Sequence, residues 1–191
     1  MNRLLISTIL CFTSLPLYIA TSFAKEKGQK GVQERFDASI IPPLSSNNSL
    51  SVAIQEFSSE EEVQDLARTF AQGGKDGLDK ALAKIKKGYF IVAGGLSMPL
   101  LVITSSSDGT VRRLNLIGLA PTHFEGEFGG SVSVGHRGYP YTYIQLEIDE
   151  QGNGKGRMVL YASVTFDPQG RTMIKPMARG THQLVNVVRR E

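Results

Sequence analysis

Residues 139–177, YPYTYIQLEIDEQGNGKGRMVLYASVTFDPQGRTMIKPM, decide the fold class. Thr142, Ile144, Leu146 and Ile148 alternate with Tyr141, Tyr143, Gln145, Glu147 and Asp149. A period of two belongs to a strand with one apolar and one polar face. Gln151 to Gly156 then supplies the Gly and Asn residues that tolerate a turn. A second run places Met158, Leu160, Ala162, Val164 and Phe166 on one face. Asp167-Pro168-Gln169-Gly170 ends it, Pro presetting φ and Gly serving the left-handed position. A third run extends from Arg171 to Met177. Three consecutive strands with short connections form an antiparallel meander, on which the remainder of the chain packs.

Working outward, the same period recurs. Glu34 to Ile41 reads as a first strand with Phe36, Ala38 and Ile40 on one side, stopped by Pro42-Pro43. Leu50 to Phe57 is a second, paired to the first as a hairpin. The period then changes to 3.6. Ser58 or Ser59 caps a helix and Glu61 or Glu62 reaches back to complete the capping box. Val63, Leu66, Ala67 and Phe70 form its apolar stripe, and Gly73-Gly74 ends it. Asp76 caps a second helix whose stripe is Leu78, Ala81, Leu82 and Ile85. The pair is expected near 59–72 and 76–87. Glu60, Glu61 and Glu62 at one end and Lys84, Lys86 and Lys87 at the other complement the helix dipole, so capping and solubility account for both clusters. Tyr89 to Ala93, Pro99 to Thr104 and Val111 to Ile117 follow as strands. The continuous apolar run Leu100-Leu101-Val102-Ile103 implies burial on both faces. Leu184 to Val188 is a closing strand and Arg189-Arg190-Glu191 a solvated tail. A single helix pair among many short strands excludes a βαβ series. The expected class is α+β, β-dominated: an antiparallel sandwich or partly closed barrel with an inserted helix pair.

The N-terminus reads differently. Arg3 precedes the mostly apolar stretch Leu4 to Ile19, and Ser22-Phe23-Ala24 ends it with small residues. That order is a secretory signal peptide over residues 1–24, followed by a flexible tether over 25–33 and a single domain over 34–191. A membrane anchor would need a longer apolar stretch. Cleavage after Ala24 would leave 167 of the 191 residues, enough for one core. It would also remove Cys11, the one cysteine, so the mature chain would have no disulfide and no thiol chemistry. Removing Arg3 from the 21 basic residues leaves 20 against 18 acidic ones. That balance is too even for a nucleic-acid-binding footprint.

Chemistry-bearing patterns are sparse. In an extended segment His123, Glu125 and Glu127 share a face, and with His136 they are the candidate His/carboxylate metal ligands. Ser97, Ser131 and Ser133 lie in no Gly-x-Ser-x-Gly elbow, and the glycines of 126–138 have no phosphate-binding lysine. No cofactor motif and no catalytic set emerges. Arg137, Tyr139, Tyr141 and Tyr143 form the candidate binding patch: the tyrosines share parity, and Arg and Tyr are enriched in binding hot spots. The competing expectation is that helices cover this face and bury the tyrosines as packing.

The chain resembles a family of small secreted bacterial proteins with no assigned activity. The resemblance is carried by Ser58-Ser59-Glu60-Glu61-Glu62, by Asp76-Gly77-Leu78, and by Tyr139 to Asp149 followed by Gly152, Gly154 and Gly156. Leu184-Val185-Asn186-Val187 also fits, so it spans about Arg35 to Arg190. The family has a tryptophan ahead of the first helix, where this chain has Phe57. The resemblance implies secretion and a β-rich fold, and no chemistry. The expected function is a non-catalytic binding or envelope-associated module in the periplasm or medium, with a small apolar ligand or an envelope protein as partner and no membrane span after cleavage. The alternative is a metal-dependent or other hydrolytic enzyme using the His123/Glu125/His136 region.

Overall fold

The structure is a computed structural model that describes residues 31–44, 47–121, 140–167, 171–177 and 180–190. Its elements, in chain order, are β1 (Glu34–Ile41), β2 (Ser49–Ile54), α1 (Glu60–Leu82), β3 (Gly88–Val92), β4 (Ser97–Asp108), β5 (Val111–Leu119), β6 (Tyr141–Ile148), β7 (Asn153–Phe166), β8 (Thr172–Pro176) and β9 (Thr181–Arg190). Neighbouring strands run β6-β5-β4-β3-β2-β1-β9-β7, and β7 pairs back onto β6. Eight strands therefore close on themselves, all pairings antiparallel. The architecture is a closed barrel and not a sandwich, with β8 attached to β7 outside the ring. Closure removes the exposed ladder that an open sheet would present.

Period-two patterning sorts the side chains into two cores. Phe36, Leu50, Phe90, Leu100, Leu114, Leu116, Ile144, Leu146, Met158 and Leu184 belong to one cluster and are at most 2% exposed. They fill the barrel, whose eight strands leave an interior just wide enough for side chains. The second cluster lies on the outer wall. It joins Leu101, Val102, Ile117, Tyr141, Tyr143 and Val159 to Leu66, Leu78 and Leu82 of α1, with Ala162, Val164 and Phe166. Both expected helix stripes, Val63 to Phe70 and Leu78 to Ile85, pack here.

Bulges explain where simple alternation fails. Met158 and Leu160 point into the barrel, but Ala162, Val164 and Phe166, expected on the same face, belong to the outer core. Tyr161 is the cause. It sits at φ 57°, and the register shifts there, Tyr143 pairing with Val159 and Tyr141 with Ala162. One extra residue in one strand exchanges the faces beyond it. Another shift lies between Leu100 and Val102. It turns Leu101 and Val102 outward while Leu100 and Ile103 stay inside, so the run is buried on both faces as its composition implies.

Three expectations need correction. The helix pair near 59–72 and 76–87 is one helical element, Glu60–Leu82, in which Gly74 alone is non-helical (φ 59°, ψ −153°). A single glycine redirects the chain where a loop and a new cap at Asp76 were expected, because it accepts positive φ without a Cβ clash. Gly154 and Gly156 do not make the turn after β6. They lie in β7, where an added Cβ would stand 1.9 Å from the Glu147 carbonyl oxygen and 2.2 Å from that of Gln145. They are small because the strands approach closely. Arg189 and Arg190 are not a tail. They complete β9, which pairs with β1 and closes the barrel.

Candidate functional site

His123, Glu125, His136, Arg137 and Tyr139 lie outside the described residues. Among the described residues no group of three or more His, Cys, Asp or Glu is placed to hold a metal ion. Tyr141 and Tyr143 are 3% and 7% exposed, so they do not form the surface patch expected of them. The physical reason is the outer core: α1 and the end of β7 cover this face. The Tyr141 hydroxyl donates to Asp79 of α1. Burial, and then the Asp79 carboxylate, push its ionisation well above the ordinary tyrosine value.

The barrel's ends and interior carry further polar groups. At one end Glu34 accepts two hydrogen bonds of 2.9 Å from Arg112, with Arg189 at 3.8 Å. The Arg112 guanidinium also lies 5.2 Å above the Phe57 ring. A cleft of about 240 Å³ beside this cluster is lined by Arg112 and Arg189 but also by Asp149 and Glu150, so its charges balance. Toward the other end, His182 is buried with Nδ1 3.3 Å from the Pro42 carbonyl oxygen, and burial holds its pKa below the ordinary value. The Thr142 hydroxyl, fully buried, has no hydrogen-bond partner among the described residues.

Tyr143 leads to a more open feature. A crevice of about 250 Å³ separates β8 from the outer wall. Val102 and Thr104 of β4, Asn115 and Ile117 of β5 and Tyr143 of β6 line one side, with Thr172 and Ile174 of β8 on the other. The Tyr143 hydroxyl donates to Asn115 Oδ1 at 2.7 Å, and Gln145 Nε2 donates to the same oxygen at 3.0 Å. With that oxygen taken twice, the two Asn115 amide hydrogens have no partner among the described residues. Above the Tyr143 ring lies the exposed Arg157 guanidinium, 5.7 Å from the centroid. Burial raises the Tyr143 pKa, and Arg157 partly opposes that rise. Arg112, Arg113 and Arg190 each face a carboxylate. Arg157 faces none among the described residues.

Among the described residues this arrangement has apolar walls, hydrogen-bond donors and a neighbouring cation, Arg157, that faces no carboxylate, and no nucleophile–base pair. Thr104, Asn115, Arg157 and Thr172 were not singled out from the sequence. The one local signal was Asn115 sharing the outward parity of Ile117 in a strand that is otherwise apolar beyond it. No protein-family model, curated protein or solved structure matches the chain.

Proposed function

We propose that this chain is an exported, non-catalytic binding module that works through the outer wall of its barrel, in the envelope or the medium. The observation that carries the reading is the division of space in the fold. The barrel interior is occupied by its own side chains, whereas the crevice under β8 is open and lined by both apolar and polar groups. Small-ligand sites combine apolar walls with a few placed polar groups, as here. The signal-like N-terminus supports export, and the charge balance at the Glu34/Arg112/Arg189 end of the barrel reads as structural ion pairing. An interior site for an apolar ligand would require displacing side chains that are at most 2% exposed.

Amide-shift mapping with a library of small neutral fragments tests the reading. Shifts are expected to gather at Val102–Thr104, Asn115–Ile117 and Thr172–Ile174. Shifts confined to interior positions such as Leu114, Leu146 and Met158, or no saturable shift anywhere, would overturn it.

A further inference from the structure

The crevice has an electrostatic direction, and that direction names a ligand class. Its walls at Val102, Ile117 and Ile174 are aliphatic. Its polar side presents the amide hydrogens of Asn115, which have no partner among the described residues, and the ring of its lining residue Tyr143 carries the Arg157 guanidinium beside it. Among the described residues no carboxylate lines it. A guanidinium already stacked on a ring has a fixed plane, so it loses little freedom when its N–H fork engages a carboxylate. At about 250 Å³ the space is smaller than the ~300–1,000 Å³ of sites for drug-sized ligands.

We infer that the crevice binds a small organic acid, with the apolar body between Ile117 and Ile174 and the carboxylate held by Arg157 and the Asn115 amide. A monovalent carboxylate matches one cation and one neutral donor. A multiply charged phosphate would leave charge uncompensated beside a buried apolar wall. The inference rests on the outer-wall reading and deepens it, and the two fail in different ways.

The experiment compares benzoate with benzyl alcohol, which has a similar ring and no charge, by amide-shift titration of the wild-type chain and of Arg157→Gln. Arg157 is exposed, and the spectrum itself reports that the variant is folded. Benzoate is expected to shift Val102–Thr104 and Asn115–Ile117 and to bind at least tenfold more tightly than benzyl alcohol. Arg157→Gln should remove that advantage, since charge-assisted pairs are the strong ones, and Arg157→Lys should restore part of it. Equal binding of the two compounds at the crevice, or benzoate binding unaffected by Arg157→Gln, overturns the organic-acid assignment and leaves the outer-wall reading standing. If neither compound shifts the crevice amides, both fail.

Discussion

Lys87 joins the start of α1 to the barrel, and removing its charge is a direct test of how the helix is held. Its ammonium donates to Glu56 and, at 2.7 Å, to Glu62. Glu62 is also the capping-box partner of Ser59. The lysine side chain is 7% exposed, and those of Glu56 and Glu62 are 36% and 46% exposed. Lys87→Met keeps the stem and deletes the charge. Breaking a fully buried pair costs about 3–5 kcal/mol. Water can reach both carboxylates here, so the expected loss is smaller, about 2 kcal/mol. The pH dependence has a definite sign. The hydrogen bond from Lys87, together with the cap amide, holds the Glu62 carboxyl below its ordinary value of 4.5. A lowered carboxyl contributes stability above its unfolded pKa and loses it as the pH falls through the folded one. Burial alone would lower the Lys87 pKa, but the two carboxylates outweigh it and raise it above 10.5. The ammonium's contribution is therefore fully present below pH 10.5 and lost only in stronger base. Urea melts at pH 7 should show a lower midpoint for Lys87→Met with an unchanged slope. The gap from wild type should narrow as the pH falls below 4.5. A variant as stable as wild type at pH 7, or a gap that widens in acid, would refute the reasoning.

Leu146 is 1% exposed inside the barrel, so Leu146→Asp should cost about 3 kcal/mol or more, whereas Gln145→Lys on the outer face should cost about 1 kcal/mol. Equal shifts in urea melts would place the β6 register off by one. Thr142→Val replaces a buried hydroxyl, without a partner among the described residues, with a methyl of the same shape and should raise stability by about 1 kcal/mol; a loss in thermal melts would mean the hydroxyl is satisfied. Export with cleavage after Ala24 predicts that N-terminal sequencing of the secreted chain begins at Lys25; an intact Met1 in a membrane fraction contradicts it.

Much of the barrel was legible because its signals are local. Glu34–Ile41 alternates cleanly and forms β1 over those residues. Ser59 and Glu62 announce the start of α1 three residues apart, and they make both reciprocal bonds. What stayed hidden depends on contacts far apart in sequence. No local pattern says that β9 returns to β1, which decides between barrel and sandwich. Gly154 looks like a turn residue until the Glu147 carbonyl is seen against its Cα. The Tyr161 bulge is equally silent, since a tyrosine at φ 57° carries no mark in the sequence. The crevice combines both difficulties. Its floor joins Tyr143, on the face of β6 that reads as polar, to Val102 and Ile117, and no local signal places β8 over it. The shared parity of Tyr141 and Tyr143 was correctly visible, but parity does not report what lies above a face.

A ligand can meet the barrel wall from inside or outside, and β5 offers adjacent reporters for each side. Leu116 faces the interior cluster, and Ile117 lines the crevice. Methyl-labelled protein saturated with benzoate should give intermolecular nuclear Overhauser effects to Ile117 and Ile174 and none to Leu116 or Ile144. Effects to Leu116 and Ile144, with none to Ile117, would place the ligand inside the barrel and contradict the account.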